Sequence, residues 1–312
     1  MKKVPMRDGY GQALLELCEN KKNIIVLDAD VAASTRTNWI KEKFPDKFID
    51  MGISEQDMVG TAAGLAIGGM IPFVSTYGVF LAGRAWDQIR TTVCNDLLNV
   101  KLAGAHAGIS VGPDGATHQA LEDVAIMRVL PGMTVVVPCD AEETRKATLA
   151  IAKIKGPCYI RFGREAVPVV TDEDTPFKIG KARLVRKGSD VTICANGAMV
   201  HEACIAAEQL AKEGIDAEVI NMHTIKPFDE KALIASVKKT GCVVTAEEHQ
   251  INGGLGSVVA ECLVKKLPAP VGMVAVEDTF GESGDPDELM EKYGLNSDAI
   301  AEKVHAVIKG KS

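Results

Sequence analysis

Short apolar, β-branched runs alternate along this chain with longer amphipathic stretches. Ile24, Ile25, Val26 and Leu27 read as a buried strand, preceded by a helix over about residues 9–19. A helix at 37–43, a strand at 48–51 and a helix at 55–67 follow. Next come a strand at 72–76, a helix at 80–94 and a strand at 101–106. Residues 134–138, 141–153 and 159–162 continue the series as strand, helix and strand. A strand with no polar face has to be buried on both sides. Such strands separated by helices therefore predict a parallel sheet covered on both faces.

From Glu165 to about Lys178 the pattern lapses into prolines, acids and threonines, which reads as a linker. A second series then begins, with strands at 191–194, 217–221, 243–246 and 274–276. Helices at 200–212, 229–237 and 257–265 lie between them, and a charged helix at 298–308 closes the chain. The expected fold class is α/β, as two three-layer αβα domains with mostly parallel sheets, over residues 1–176 and 177–312. A length of 312 residues suits that division, at roughly 150 residues per domain.

Composition narrows the function. The net charge of −7 argues against a nucleic-acid binder, which would carry a basic stripe, but leaves room for a local basic pocket. The eight cysteines form no CxxC pair and mostly sit in apolar runs. They read as buried free thiols in a reducing compartment, so a cytoplasmic protein without a zinc site is expected. The opening MKKVPMRDGYGQ has no apolar run of the signal-peptide kind. The longest apolar stretch, 61–74, is glycine-rich and broken by Pro72. It falls short of the roughly 18 residues a membrane span needs, so no membrane contact is expected.

In parallel sheets ligands bind beyond the carboxyl ends of the strands, and four segments there carry chemistry. Gly52-Ile53-Ser54-Glu55-Gln56-Asp57 opens a helix, with Ser54 and Asp57 fitting a capping box and Glu55 a first-turn acid suited to the helix dipole. Tyr77 and Phe80 follow the next strand at i,i+3, a spacing equally suited to core packing. The run from His106 to His118 holds two histidines, an aspartate and three glycines. It is expected as a loop without regular structure that is exposed or lines a pocket. A metal site from His106, Asp114 and His118 is disfavoured, because no fourth ligand is evident. Arg161 and Arg164 end the last strand of the domain, where a guanidinium serves as a surface charge or a phosphate fork.

These segments, taken with RDGYGQAL, DADVAAST, FIDMGISEQDMVGTAAGLA, PFVSTYGVFLAGRAWDQIR, GAHAGISVGPDGATHQALED, YIRFGRE, TIKPFD and EEHQINGGLG, resemble the pyrimidine-binding and C-terminal domains of transketolase. The likeness runs over nearly the whole chain. It implies that Glu55 is the carboxylic acid that shares a proton with N1′ of the thiamine-diphosphate aminopyrimidine. That role calls for a pKa raised by burial against the opposing pull of the helix N-terminus. Tyr77 and Phe80 match the aromatic wall against the pyrimidine, with no partner evident for the Tyr77 hydroxyl. The resemblance places His106 near a sugar phosphate and Asp114 at a sugar hydroxyl. His118 would orient substrate or shuttle a proton at the sugar oxygen. Arg7, Ser34 and Arg164 match the remaining phosphate anchors.

Two departures from the family pattern stand out. Leu81-Ala82-Gly83-Arg84 is one residue longer than the usual stretch before the RAxDQ motif, which leaves the place of Arg84 open. The chain also has no Gly-Asp-Gly segment, the family's diphosphate and metal motif. The resemblance therefore implies the C-terminal subunit of a split transketolase, holding the cofactor by its pyrimidine side only. A separate N-terminal subunit would hold the diphosphate with Mg²⁺ or Ca²⁺ in an α₂β₂ heterotetramer, acting on sugar phosphates of the pentose phosphate pathway. Met1 and the lysines after it read as a natural start, though a truncated piece would look the same. The alternatives are 1-deoxy-xylulose-5-phosphate synthase or a 2-oxoacid dehydrogenase E1 β subunit, and, of another class, a non-catalytic interaction module. The loop HAGISVGPDGATHQALED and the Arg7/Ser34 pair favour transketolase. In the second domain, Glu247 and Glu248 read as surface acids, His249 as a satisfied histidine, and Gly253-Gly254-Leu255-Gly256 as close helix–strand packing.

Overall fold

A computed structural model describes residues 2–311; Met1, read above as a natural start, lies outside them. The first sheet has seven strands. In spatial order they are Thr224–Lys226, Thr134–Val136, Cys158–Arg161, Lys101–Ala105, Ile71–Tyr77, Ile24–Asp28 and Phe48–Asp50. All neighbours pair in parallel except Thr224–Lys226, which runs antiparallel at the edge. The second sheet has five strands in the order Val271–Val276, Val243–Gln250, Val191–Ala195, Ala217–Asn221 and Arg183–Arg186. Only Arg183–Arg186 is antiparallel there. The mostly parallel α/β architecture is the expected one.

The strand Ile24–Asp28 shows why the sheets are covered twice. Side chains alternate faces along a strand, and here both sets are apolar. Ile25 and Leu27 join Met58, Val59 and Ala62 of the helix Glu55–Ile67. Ile24 and Val26 join Tyr10 and Leu14 of the helix Met6–Asn20, with Ala147 and Ile151 of the helix Ala141–Ile151. These two helices touch closely at Gly9, where a Cβ would lie 1.9 Å from the Ala141 carbonyl oxygen, so only glycine fits.

Several local expectations change. The stretch 165–178 is not wholly irregular: Ala166–Pro168 pairs antiparallel with Lys3–Pro5. Val170 and Thr171 also donate backbone N–H groups to the buried carboxylate of Asp140, at 2.8 and 2.7 Å. The stretch 80–94 is not a plain α-helix. It runs as π-helical turns at Phe80–Arg84 and Ile89–Cys94 around a short α segment, Trp86–Gln88. A π turn accommodates one extra residue without breaking the helix, and Phe80–Arg84 covers the stretch before the RAxDQ motif that the resemblance marks as longer. The loop after His106 includes 3₁₀ turns over Ile109–Asp114, kinked at Gly112 with φ 76°.

The strand Val243–Gln250 overruns the expected strand and carries Glu247, Glu248 and His249 inward, all three buried. Glu247 and Glu248 are therefore not surface acids. Glu247 receives the backbone N–H groups of Leu255 and Gly256 at 2.7 and 2.8 Å and so caps the helix Leu255–Lys266. Glu248 receives the Ser110 N–H at 2.7 Å. His249 is satisfied as expected, bonding the Gln250 carbonyl at 2.7 Å through Nδ1. The helix after Gly254 packs closely on the sheet at Gly256, where a Cβ would meet Met273 at 2.8 Å and Thr245 at 3.1 Å. Among the described residues, no helix is long and apolar enough to cross a membrane.

Candidate active site

The carboxyl ends of the central strands supply the site, as the fold class requires. Phe48–Asp50 leads into Glu55, and Ile71–Tyr77 ends on Tyr77. Lys101–Ala105 runs into His106, and Cys158–Arg161 runs on to Arg164. Ile24–Asp28 ends on Asp28, a fully buried carboxylate that accepts the Val31 N–H and the Thr35 and Thr37 hydroxyls at 2.7, 2.7 and 2.8 Å. These bonds fold the chain into the short helix Ala32–Thr35 and so place Ser34. Burial, only partly offset by the hydroxyl donors, raises the Asp28 pKa to about 6.

Glu55 is 1% exposed although it begins a helix. Its Oε1 accepts from the Thr76 hydroxyl at 3.4 Å and its Oε2 from Arg84 Nη1 at 2.5 Å. The capping box does not form: the Ser54 side chain makes no bond to the helix N-terminus, its backbone lying at φ −148° and ψ 60°. The backbone turn brings Glu55 inward instead of leaving it as a solvated first-turn acid.

Beside Glu55 the aromatic groups form one cluster. Tyr77 and Phe80 lie 6.2 Å apart, and Phe80 meets His118 edge-on at 5.1 Å. Tyr77 stacks on His106 at 4.5 Å with only 14° between the planes. Its hydroxyl, for which the sequence offered no partner, donates to Ser34 Oγ at 3.2 Å. His118 Nδ1 lies 2.9 Å from the Thr117 hydroxyl.

The expected phosphate anchors meet on the other side of Tyr77. Arg7 Nη1 lies 3.3 Å from the Ser34 carbonyl oxygen and 3.4 Å from His106 Nε2. Arg7 Nε and His106 Nδ1 are buried without a protein partner, as donors held for a ligand would be. His106 has φ 50°, an uncommon conformation for a side-chain-bearing residue and one that clusters at functional sites. Burial and then the positive charges of Arg7 and Arg164 lower its pKa to about 3, so the imidazole is neutral near pH 7. Burial, with the charge of Arg36, lowers Arg7 as well. Arg164 donates to the Val111 carbonyl at 3.1 Å and stands 3.7 Å from Asp114, whose carboxylate thus faces an anchor and open solvent.

Residues the sequence reading did not single out also shape the site. They are Asp28, Thr76, and the ion pair of Arg36 with Asp8 at 2.6 Å. Arg84, whose place was open, lies on the site with its Cζ 4.7 Å from the Phe80 ring centre. A polar residue inside an apolar strand, as Thr76 and Asp28 are, was the available signal. Among the described residues, no group of three or more His, Cys, Asp or Glu is placed to hold a metal ion.

Comparison with known proteins gives these groups a context. The family "Transketolase, pyrimidine binding domain" matches residues 2–170 and "Transketolase, C-terminal domain" matches 180–300. The 6-deoxy-6-sulfo-D-fructose transketolase subunit SqwH of a Clostridium species is 45% identical over 98% of this chain and 95% of its own length. Human transketolase is 39% identical over 98% of this chain but only 49% of its own length. A solved structure described as a split gene transketolase, inactive beta4 tetramer, is 48% identical with a TM-score of 0.93, covering 99% of this chain and 100% of that one.

Proposed function

The chain belongs to the transketolase family, and on that premise we propose that it is the C-terminal subunit of a two-component transketolase. Together with a separate N-terminal subunit it moves a two-carbon ketol unit between sugar phosphates in the cytoplasm. The observation that carries the reading is Glu55: a 1% exposed carboxylate at the carboxyl end of the sheet, joined through Arg84 to the ring of Phe80, with Tyr77 beside it. That carboxylate and those rings fit the pyrimidine half of thiamine diphosphate, which offers a ring to stack and a ring nitrogen to share a proton, while the buried unpartnered Arg7 Nε and His106 Nδ1 fit an anion beside it. When bound, thiamine diphosphate supplies the acidic carbon that becomes the nucleophile toward the donor ketose.

Each residue then has a defined task. Glu55 holds a proton at the pyrimidine nitrogen, and low exposure keeps water from competing for it. Phe80 and Tyr77 supply apolar contact, worth about 0.5–1.5 kcal/mol beyond the area buried for a stacked ring. Arg7, Ser34, His106 and Arg164 hold the sugar phosphate, with the arginines bringing charge and the neutral imidazole a directed hydrogen bond. Asp114 accepts from a sugar hydroxyl. His118, standing edge-on to Phe80, moves a proton at the sugar oxygen. The partner subunit contributes the diphosphate site and its Mg²⁺ or Ca²⁺, in an α₂β₂ assembly. The same reading divides the chain into a pyrimidine-binding domain at 1–176 and a C-terminal domain at 177–312, and is supported by the two larger sheets, whose strands divide between those ranges except for Thr224–Lys226 at the edge of the first. The split is further supported by relatives of this length being named as subunits while the human enzyme is about twice as long.

The test is ketol transfer by the purified chain alone and with a diphosphate-binding partner. Activity is expected only with the partner; robust transfer by the chain alone would refute the two-component reading. In the active pair, Glu55→Gln should lower kcat by about 10²–10⁴ with the sugar-phosphate KM little changed. An unaltered kcat would remove Glu55 from the chemistry.

A further inference from the structure

In the free chain the groups assigned to the pyrimidine are already occupied. The Arg84 guanidinium lies over the Phe80 ring at 4.7 Å and binds the Glu55 carboxylate at 2.5 Å. A guanidinium is flat, stacks on aromatic faces and presents N–H groups in its own plane. An aminopyrimidine ring shares the first two properties and also places a protonatable nitrogen at the carboxylate. The two therefore compete for one ring face and one carboxylate oxygen. Neither other ring near Phe80 is stacked flat on it: His118 stands at 79° to its plane and Tyr77 lies tilted 6.2 Å away.

Arg84 is also suited to leave. Its side chain is 43% exposed, whereas that of Glu55 is 1% exposed. It sits at the end of the π-helical turn Phe80–Arg84, four positions after Phe80. The backbone there is fixed independently, since the Arg84 carbonyl accepts from Gln56 Nε2 at 3.2 Å. Only the side chain has to move, outward into water.

We infer that Arg84 is a placeholder for the pyrimidine: it fills the cofactor seat of the free subunit, keeps the buried Glu55 carboxylate paired, and swings out when the ring enters. This rests on the pyrimidine-site reading above. A seat open one time in ten weakens the apparent affinity about tenfold. The free subunit thus holds the cofactor poorly, and stable binding waits for the assembled pair.

The experiment titrates the full chain with thiamine, which lacks the diphosphate and so does not need the partner's half of the site. Binding is read by calorimetry on the unaltered chain, Arg84→Ala and Arg84→Lys. Arg84→Ala is expected to bind about tenfold more tightly. Arg84→Lys, which keeps the charge but loses the flat stack, should gain less. Equal binding by unaltered chain and variants, including none detectable in any, overturns the placeholder, as does weaker binding by Arg84→Ala. If Arg84→Ala fails to fold because Glu55 is left buried without a cation, Arg84→Lys carries the test by itself, and no gain overturns the idea. A second arm separates this from the site itself. In the partner-bound enzyme, Phe80→Ala should weaken thiamine diphosphate binding. If Phe80→Ala and Glu55→Gln both leave that binding unchanged, the pyrimidine-site reading has failed. If Phe80→Ala weakens it and Arg84→Ala gains nothing, only the placeholder has failed.

Discussion

His106 combines burial, strain and a neighbouring charge in one side chain. Its pKa falls from 6.5 to about 3, first through burial and then through Arg7 and Arg164. Between those values the unfolded chain binds a proton that the folded chain does not. Stability therefore drops as pH falls from about 6.5 toward 3, and the contribution is fully present above that window. His106→Asn removes the group and should flatten this part of the pH dependence. Urea unfolding of both proteins at about pH 7 and pH 5 checks it; equal losses in the two would contradict the assignment. The same neutrality means that the charge for an anion in this pocket comes from Arg7 and Arg164. The imidazole contributes direction, through an Nδ1 that has no protein partner.

Single elements here are fixed by polar side chains at their ends. The helix Leu255–Lys266 starts against the Glu247 carboxylate, which takes two backbone N–H groups and sits at the positive end of the helix. Gly254 allows this approach, since a Cβ there would come within 2.1 Å of that carboxylate. Glu247→Ala leaves two buried donors unmade, at about 1–3 kcal/mol for each group. A loss of at least that size in urea-derived stability is expected, with the site around Glu55 unaffected; a near-neutral result would show that the helix finds another cap. The strand Ile24–Asp28 is handled likewise at its far end, where Asp28 organises the turn that presents Ser34.

Across the whole molecule, one buried network ties the two sheets together. Arg161, 4% exposed, binds both oxygens of Asp123 at 3.1 and 3.0 Å. It also binds the carbonyl oxygens of Ala120 and Glu248 at 3.1 and 2.7 Å. Tyr159 adds a bond to Asp123 at 2.7 Å. Glu248 belongs to the second sheet and Arg161 to the first, so the guanidinium links the sheets directly. Arg161→Leu strands Asp123 without its cation and should cost about 3–5 kcal/mol. The loss should appear in urea unfolding, and a change under 1 kcal/mol would mean the network is not what joins the sheets. The strand Thr224–Lys226 adds a second tie by crossing to the edge of the first sheet. The apolar cluster with Leu27 and Val74 likewise continues through Ile225, Leu233 and Val259.

The alternation of apolar strands and amphipathic helices was local, so the sequence by itself determined most elements, the mostly parallel sheets and the strand ends that carry chemistry. Period and run length report burial directly, and Glu55, Tyr77, His106 and Arg164 all follow strands legible in that way. Four short strands escaped it, because three or four residues leave little period to read: Lys3–Pro5, Ala166–Pro168, Arg183–Arg186 and Thr224–Lys226. The inward turn of Glu247 and Glu248 escaped for a different reason. Acids signal solvent until a partner is known, and the partners are a helix N-terminus and the Ser110 backbone. Only the tertiary structure decided that Arg84 meets Glu55, that Tyr77 bonds Ser34 and that Arg161 reaches Glu248. Those residues are 29, 43 and 87 positions apart. Contact at such separations depends on how strands order within a sheet and sheets dock, which no local pattern encodes.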